Sequence, residues 1–395
     1  MSHSTGLPII IVGSGMAGYT LARELRKLDA EVPLLILTAD DAVNYAKPTL
    51  SNALAGKKHP SQIGLGDQAK MQDTLKAQIL SHTTVQQIDV AGRQLSVLHE
   101  GSVQTLAYRD LVLAVGASPI RLPIEGDGAE AVQVVNSLID YSHFRERLDR
   151  APAQRVLLLG AGLIGCEFAN DLQANGHQVH VVDLAPLPLG RLLPAEVAQP
   201  FQQALAAQGI DFHLGTTVLR IDRSEGDALQ VTLANGTTLT VDVVLSAVGL
   251  RPNLQLAQSA GLATARGIVV DQHLQTQPGN HVYAMGDCAE VQGHLLPYVM
   301  PIMQQARALA QTLAGTPTPV VYPAMPVAVK TPWMPLVVLP PAVTDVEWQF
   351  EALDDGLIAR AENAQGLQGF VLLGATAGKQ RLALTKQVPD LMPLA

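Results

Sequence analysis

Two short stretches of this chain follow the same plan, and together they limit the folds that it can adopt. IIIVGSGMAG occupies residues 9–18, and VLLLGAGLIG occupies residues 156–165. Each stretch is an apolar run that ends in Gly-x-Gly-x-x-Gly. Where such a turn joins a strand to a helix, backbone N–H groups and the helix N-terminus come close to a pyrophosphate. The repeat therefore predicts two dinucleotide-binding units in an α/β protein.

The segments around both turns predict strand–helix–strand units, with apolar strands of the kind that is buried on both faces. The predicted elements are strand 8–12, helix 17–28 and strand 34–37 in the first unit, and strand 155–159, helix 163–175 and strand 178–182 in the second. Beyond them, alternating segments with a turn at Asn235-Gly236 predict a small antiparallel piece. These segments are 213–222, 228–234 and 237–243.

The composition excludes several classes of protein. At 395 residues the chain is long enough for two or three domains, and 48% apolar with 15% charged residues indicates a globular protein. A net charge of −9 without a basic cluster argues against nucleic-acid binding. No apolar run reaches the roughly 18 residues that span a membrane. We therefore expect a cytoplasmic protein with neither a nucleic-acid partner nor a membrane partner.

Cysteines and histidines give no sign of a disulfide framework or a metal centre. The two cysteines, Cys166 and Cys288, lie far apart in the chain, which fits a reducing cytoplasm. The eleven histidines do not fall near cysteines or carboxylates at metal-ligand spacings. No metal site is therefore predicted.

The residues after the second strand of each unit bear on which nucleotide is bound. Asp183 follows the second unit's strand, eighteen residues after Gly165. A carboxylate there accepts hydrogen bonds from a ribose 2′-OH and repels a 2′-phosphate, so Asp183 favours NADH over NADPH. In the first unit Thr38 and Ala39 take this place, with Asp40 next, and the group that binds the first ribose stays open.

Five motifs occur in a fixed order between residues 9 and 290, about three quarters of the chain. They are GSGMAG (13–18), LAVGASP (113–119), GAGLIGCEFA (160–169), LSAVGLRPN (245–253) and YAMGDCAE (283–290). This arrangement resembles the flavoprotein family with two dinucleotide-binding domains, the pyridine nucleotide–disulfide oxidoreductase fold. The resemblance implies that the first turn binds FAD tightly and that the second binds NADH. It also implies that Asp287 contacts the ribityl chain of the flavin.

The resemblance implies an α/β fold with two Rossmann-like dinucleotide-binding domains, one for FAD and one for NAD, and a small C-terminal α+β domain. The last boundary falls where eight of the 25 prolines lie, in residues 317–341. The expected ranges are 1–116 and 247–318 for a discontinuous FAD domain, 117–246 for the NAD domain and 319–395 for the C-terminal domain.

The resemblance further implies the residues of both cofactor sites. For FAD they are Gly13, Ser14, Gly15, Met16, Ala17, Gly18, Thr38, Ala39, Asp40, Lys47, Val85, Gly116, Glu167, Gly286, Asp287, Val299 and Lys330. For NADH they are Gly160, Gly162, Leu163, Ile164, Gly165, Glu167, Asp183 and Gly249. Lys47 and Lys330 are expected beside the flavin ring, and Glu167 at the contact between flavin and nicotinamide. No side chain is expected to act as a nucleophile.

The electron acceptor is inferred from a missing cysteine and from two further segments. Disulfide reductases of this fold place a cysteine pair against the flavin, and similar NADH oxidases keep one cysteine; residues 44–56 contain none. YAKPTLS (45–51) resembles a segment of reductases that serve small iron–sulfur or rubredoxin carriers. The proline-rich C-terminal part, with PVAVKTPWMPLVV (326–338), is most similar to the rubredoxin–NAD(+) reductase family. The resemblance thus implies electron transfer from NADH through FAD to rubredoxin or a similar small iron carrier protein.

Other acceptors stay open at this point. The alternatives are a ferredoxin, a flavorubredoxin, oxygen as in an NADH oxidase, and a redox-sensing flavoprotein that is reduced once and stops. Residues 363–389 contain no Asp or Glu but do contain Lys379, Arg381 and Lys386. We expect this stretch to help dock an acidic carrier.

Overall fold

A computed structural model describes residues 6–393, so the first five and last two residues of the predicted domain ranges lie outside the described residues. Each glycine turn follows a strand of its own five-stranded parallel sheet, and a five-stranded antiparallel sheet lies near the end of the chain. The protein is therefore an α/β molecule with two Rossmann-like units and a small C-terminal α+β unit, which confirms the predicted fold class.

Strand Ile9–Val12 lies at the centre of the first parallel sheet. It pairs with Leu34–Leu37 on one side and with Asp110–Leu113 on the other. Gln78–Leu80 and Val282–Ala284 form the two edges. All four residues of Ile9–Val12 are buried, as predicted for a strand covered on both faces. The turn then passes directly into helix Met16–Leu28, so the helix N-terminus faces the carboxyl ends of the strands.

The second parallel sheet repeats this plan around strand Arg155–Leu159. Its order is Ile210–Leu214, Gln178–Asp183, Arg155–Leu159, Val243–Ser246, Gln133–Val134. The prediction of one alternating segment over 213–222 was wrong. The chain divides at Gly215, so that residues up to Leu214 join the parallel sheet and Val218–Arg223 starts the antiparallel piece.

Smaller sheets accompany both parallel ones. Two are antiparallel with three strands, and two pairs of short strands join more distant parts of the chain. The three-stranded sheets are Thr84–Asp89, Gln94–His99 and Ser102–Ala107, and Val218–Arg223, Leu229–Leu233 and Thr238–Val241. The pairs are Ala117–Pro119 with Leu250–Pro252 and Ile268–Val270 with Ala289–Val291. The predicted turn at Asn235-Gly236 is confirmed, because Gly236 N–H donates to the Leu233 carbonyl.

The C-terminal sheet is antiparallel, with the order Val327–Val329, Leu336–Leu339, Gly366–Leu373, Gly356–Asn363, Glu347–Leu353. Short helices Ala375–Gly378 and Arg381–Thr385 follow it. The remaining α-helices are Gln68–Leu75, Leu138–Leu148, Leu163–Ala174, Ala195–Ala206, Gln255–Ser259 and Val299–Leu313. The 3-10 helices are Lys47–Asn52, Pro60–Gln62, Ala129–Ala131, Glu225–Asp227 and Gly286–Cys288. Among residues 6–393, no helix combines the length and apolar character that crossing a membrane requires.

One hydrophobic cluster joins the second unit to the C-terminal sheet. Leu158 and Phe201 of the second unit belong to the same buried cluster as Val371 and Leu373 of the C-terminal sheet. Leu50, from the segment after the first unit, is also part of it. The C-terminal unit is thereby packed directly onto the second unit, with apolar burial as the stabilising term.

Candidate functional site

One cavity of about 2510 Å³ is lined by residues of all three units. Single ligand pockets measure roughly 300–1,000 Å³, so this volume suits more than one large ligand. The structure brings nearly every predicted cofactor-site residue to its wall. The exceptions are Gly18, Gly165 and Gly286.

The middle glycine of each turn faces open space. Gly15 and Gly162 have ordinary extended backbone, with φ of −69° and −77°. A Cβ built on either one would meet no atom of residues 6–393 within 4 Å. Each turn thus leaves a concave space beside a helix N-terminus, which a side chain would fill. That space fits a pyrophosphate, whose charge the helix dipole and backbone N–H groups favour.

The outer glycines shape the turns from behind. Gly13 and Gly160 have φ of +119° and +105°, and a Cβ at Gly160 would lie 2.7 Å from the Ala247 carbonyl oxygen. Gly18 and Gly165 do not line the cavity, because their Cα atoms press against the carbonyl groups of Gly13 and Gly160. The last glycine of each motif therefore lets the helix pack closely on its own turn.

Three side chains meet where the first unit's strand ends. The Ser14 hydroxyl lies 2.9 Å from Thr38 Oγ1, which donates to Asp40 Oδ1 at 2.7 Å. Ser14 also lies 3.1 Å from the same carboxylate oxygen. Thr38 is buried and Asp40 is exposed. The Asp40 carboxylate therefore lies at the end of the strand, although Asp40 is two residues beyond Thr38 in the chain. The sequence alone left open which group occupies this position.

Asp183 is tied to the second glycine turn. Its Oδ2 accepts from the Ala161 N–H at 2.6 Å, and its Oδ1 accepts from the Ala185 N–H at 2.7 Å. The carboxylate lines the cavity and keeps further lone pairs for a ribose. It therefore holds the turn in shape as well as presenting a negative charge.

Asp183→Asn is expected to raise the KM for NADH and to weaken the preference for NADH over NADPH by at least about tenfold. The asparagine amide has only one acceptor oxygen for the two N–H groups that Asp183 binds, so the turn loses a hydrogen bond. The variant also lacks the negative charge that repels the 2′-phosphate of NADPH, and a like-charge contact of this kind costs several kcal/mol. Steady-state kcat/KM values for both nucleotides measure the change. A preference equal to that of the wild type would contradict a role for Asp183 in recognising the ribose.

A buried junction joins three separate parts of the chain at the cavity wall. Ser51 Oγ donates to Glu167 Oε2 at 2.5 Å, and Lys330 Nζ lies 2.5 Å from the same oxygen. The Lys330 N–H donates to Glu167 Oε1 at 3.1 Å. The predicted flavin-side residues Glu167 and Lys330 thus form an ion pair. Ser51 lies within the motif YAKPTLS, but the sequence alone predicts no role for it, since only the fold brings it to Glu167.

Lys47 and Asp287 lie elsewhere on the wall of the cavity. Lys47 Nζ donates to Asn136 Oδ1 at 2.7 Å, and Asn136 in turn donates to the Ala117 carbonyl. Burial lowers the pKa of Lys47, and the Asp287 carboxylate opposes that shift. Burial raises the pKa of Asp287, which Lys47 opposes. Both side chains are therefore partly desolvated, and each favours the charged form of the other. No motif in the sequence marked Asn136.

Gly286 acts behind the wall rather than on it. Its N–H donates to Gln305 Oε1 at 2.7 Å, and Gln305 Nε2 donates to the Tyr322 hydroxyl at 2.7 Å. Its φ of +76°, together with a Cβ position 2.8 Å from Ala17, requires glycine. Gly286 therefore shapes the wall from behind, and its predicted contact with FAD stays a prediction.

Both cysteines are fully buried and chemically quiet. Cys166 Sγ donates to the Ala161 carbonyl, and Cys288 Sγ lies 3.4 Å from the Leu113 carbonyl oxygen. Burial raises the pKa of Cys166, and burial raises the pKa of Cys288 to about 11. A thiol that stays protonated does not act as a nucleophile. Neither thiol is therefore suited to relay electrons.

Asp171 links the helix after the second turn to the segment after the first unit. Its carboxylate accepts the Leu54 N–H at 3.0 Å and the Ala55 N–H at 2.8 Å. Burial raises the pKa of Asp171 to about 6, although these two N–H groups oppose the shift. The segment that carries Lys47 and Ser51 is therefore anchored by a carboxylate with a perturbed proton affinity.

The contribution of Asp171 to the free energy of unfolding is expected to fall as the pH rises from about 4 to about 6. Because its pKa is higher in the folded chain than the usual value of about 3.9, the folded state holds a proton that the unfolded state has released. Above pH 6 this contribution stays constant. Asp171→Asn should remove that slope in urea unfolding measured between pH 4 and pH 7. An unchanged slope in the variant would assign the pH dependence to other groups.

Two family models match the chain. The model described as pyridine nucleotide-disulphide oxidoreductase matches residues 7–312, and the model described as rubredoxin binding C-terminal domain matches residues 319–388. The first covers well over half of the chain, and the second begins inside the proline-rich stretch.

Several named relatives match along nearly their whole length. A rubredoxin-NAD(+) reductase of Acinetobacter baylyi is 60% identical, covering 98% of this chain and 99% of the relative. One of Alcanivorax borkumensis is 42% identical over 98% and 100%. A nitric oxide reductase FlRd-NAD(+) reductase of Aeromonas salmonicida is 42% identical over 96% of each.

Solved structures show the same arrangement. A ferredoxin reductase for the CYP199A2 system of Rhodopseudomonas palustris has a TM-score of 0.85 and 28% identity, covering 97% of this chain and 96% of its own. The reductase of a covalent putidaredoxin reductase–putidaredoxin complex has a TM-score of 0.86 and 24% identity, covering 97% of this chain and 94% of its own. At this identity the likeness shows a shared fold only.

Proposed function

The chain belongs to the pyridine nucleotide-disulphide oxidoreductase family, and we propose that it passes electrons from NADH through FAD to rubredoxin. One observation carries the proposal. The two open glycine turns, at Gly15 and Gly162, line the same cavity as Lys330 of the unit that matches the rubredoxin-binding domain. The two nucleotide sites and the unit that is proposed to bind the electron carrier thus border the same cavity.

The residues of the chain hold the nucleotides in place and set the charge around the flavin, while the cofactor supplies the redox chemistry. When bound, FAD would supply the redox chemistry that links NADH, a two-electron hydride donor, to two molecules of a one-electron carrier. Residues 13–17 hold the FAD pyrophosphate, and residues 160–164 hold that of NADH, through backbone N–H groups and a helix N-terminus. Lys47 and Lys330 place positive charge at the wall, where it favours negative charge gained on reduction. The Ser51–Glu167–Lys330 junction keeps that wall rigid.

The ribose contacts follow from the strand ends. We assign the FAD ribose to the Thr38–Asp40 pair, because Asp40 reaches the strand end through the Thr38 hydroxyl. We assign the NADH ribose to Asp183, whose carboxylate lines the cavity. The predicted domain ranges stay part of this proposal, with residues 1–116 and 247–318 for FAD, 117–246 for NADH and 319–395 for the carrier.

We place the protein in the cytoplasm. Its two cysteines are unpaired and buried, as in proteins of a reducing compartment. NADH is also a nucleotide of that compartment.

The carrier docks, in this proposal, beside the last helices of the chain. Lys379 and Lys386 are exposed there, and Arg381 lines the cavity. Between them Leu382 is 75% exposed, so an apolar side chain stands among the cations. This combination suits a small acidic protein, because charges steer its approach while an apolar contact holds it.

The double charge reversal Lys379→Glu/Arg381→Glu is expected to slow association with rubredoxin by about tenfold or more at low salt. It should also flatten the dependence of the association rate on ionic strength, because steering charges act mainly on that rate. Arg93→Glu/Arg223→Glu, which changes the net charge equally on two exposed arginines outside the C-terminal unit, is the matched control. Stopped-flow rates at several salt concentrations measure the effect. Equal rates in both variants would place the docking surface elsewhere.

The function itself is tested by supplying acceptors to the NADH-reduced protein. Rubredoxin should be reduced rapidly in stopped-flow mixing, with NADH far preferred over NADPH. Rapid flavin reduction with no rubredoxin reduction, combined with fast turnover of oxygen, would overturn the proposal. If NADH reduced the flavin once and no carrier supported continued NADH oxidation, the protein would instead be a redox sensor.

A flavorubredoxin reductase is the second candidate, favoured by the 42% identical relative named nitric oxide reductase FlRd-NAD(+) reductase. Both functions require the same cofactor sites, so the cavity does not separate them. The kcat/KM values for free rubredoxin and for a flavorubredoxin decide between them. The 60% identical relative leads us to expect the higher value for free rubredoxin.

A further inference from the structure

Two histidines and an aspartate meet on the edge of the second parallel sheet. His180 lies in strand Gln178–Asp183, and Asp211 and His213 lie in the neighbouring edge strand Ile210–Leu214. Parallel pairing places Asp211 opposite His180, with His213 two residues farther along on the same face. The three residues show no ligand spacing in the sequence, because strand pairing alone brings them together.

The three donor atoms have the geometry of a metal-binding face. His180 Nδ1 and His213 Nε2 each lie 3.1 Å from Asp211 Oδ2, and the two nitrogens lie 3.3 Å apart. Ligands bonded to zinc at about 2.0–2.1 Å with tetrahedral angles are about 3.3 Å apart. From this match we infer that His180, Asp211 and His213 form a binding site for a divalent transition-metal ion, for which Zn²⁺ is the probe.

The surroundings of the cluster suit such an ion. The histidine side chains are 22% and 17% exposed, whereas that of Asp211 is 57% exposed. The imidazoles are therefore held in place by packing, while a fourth position faces solvent and takes water. Two neutral imidazoles with one carboxylate favour a borderline ion such as Zn²⁺ over Ca²⁺ or Mg²⁺, which prefer all-oxygen sites.

The site is separate from the cofactor cavity but bears on its wall. None of these three residues lines that cavity. Just beyond them, the Thr216 N–H donates to the Asp183 carbonyl, and the Gly215 N–H donates to the Ala185 carbonyl, both at 3.1 Å. A bound ion would fasten the edge strand to the strand that carries Asp183. We therefore expect metal binding to stabilise the second unit against unfolding.

The experiment titrates the purified full-length protein, stripped with a chelator, with ZnCl₂ in a calorimeter. We expect one equivalent to bind to the wild type and to raise the Tm. Loss of an outer-shell partner already weakens metal binding by about 10–100-fold, so His213→Gln should weaken the Zn²⁺ affinity by at least about tenfold. His143→Gln, on an exposed histidine of helix Leu138–Leu148, is the matched control and should bind like the wild type.

Absence of saturable binding, or equal affinity in His213→Gln and the wild type, would overturn the inference. If His213→Gln does not fold, X-ray absorption spectroscopy of the zinc-loaded wild type identifies the atoms bound to the ion and so still tests the inference. Two imidazole nitrogens with oxygen ligands in the first shell would support the site. A first shell with sulfur or with fewer than two imidazoles would refute it.

Discussion

Gly15→Val should yield a folded protein that is purified without its yellow cofactor. Gly15 has backbone angles that any residue adopts, and its Cβ would point into open space within the cavity. A valine there leaves the chain's own packing intact but occupies the space of the FAD pyrophosphate. We expect FAD affinity to fall by about a hundredfold, or about 3 kcal/mol, which is the upper end of the cost of overpacking a tight space.

Gly162→Val is the matched control for that prediction, because its geometry is the same in the second unit. It should retain FAD and show a KM for NADH raised by a comparable factor. Absorbance at the flavin band, far-ultraviolet circular dichroism and the KM for NADH separate the two variants. If Gly15→Val retained FAD, the first turn would not be the cradle for its pyrophosphate.

Lys330→Met should destabilise the protein by about 3 kcal/mol. The substitution leaves the Glu167 carboxylate buried without its cation, and breaking a buried pair costs about 3–5 kcal/mol. We expect the lower end because Lys330 is 31% exposed and because Ser51 still donates to the carboxylate. Urea unfolding of the FAD-loaded protein measures the loss. Electron transfer should also slow, since the wall loses a positive charge.

The double variant Glu167→Gln/Lys330→Met distinguishes this pair from simple packing. With the buried charge removed, much of the stability should return, giving a coupling energy of about 1–3 kcal/mol in the double-mutant cycle. Additive losses would mean that Lys330 and Glu167 act independently. Recovery of stability without recovery of the electron-transfer rate would assign the tuning role to the charge of Lys330.

The features that the sequence predicts well are those fixed over a few residues. The two glycine turns depend on contacts within six residues, so their strands, helices and open middle glycines follow from the local pattern. Asp183 follows for the same reason, since a strand of predictable length carries it from the turn. The prediction of a single segment over 213–222 was wrong because the alternation of apolar and polar residues continues past Gly215, although the chain passes there from the parallel sheet to the antiparallel one.

Contacts between distant segments could not be predicted in this way. Ser51 meets Glu167 across 116 residues, and Lys330 meets it across 163, because three units pack around one cavity. Asn136 and Gln305 likewise gain their roles only from that packing. The histidine pair shows the same limit, since its ligand geometry comes from the register between two parallel strands.

The shared apolar cluster beneath the last sheet means that the carrier-binding part of this enzyme is not an exchangeable module. Val371 and Leu373 are buried in the same cluster as Phe201 of the second unit. Ending the chain near residue 318 would expose that apolar surface and favour aggregation. Moving residues 319–395 onto another reductase would in turn require a matching surface there. A change of electron carrier in this fold is therefore more readily made by altering exposed side chains than by exchanging whole domains.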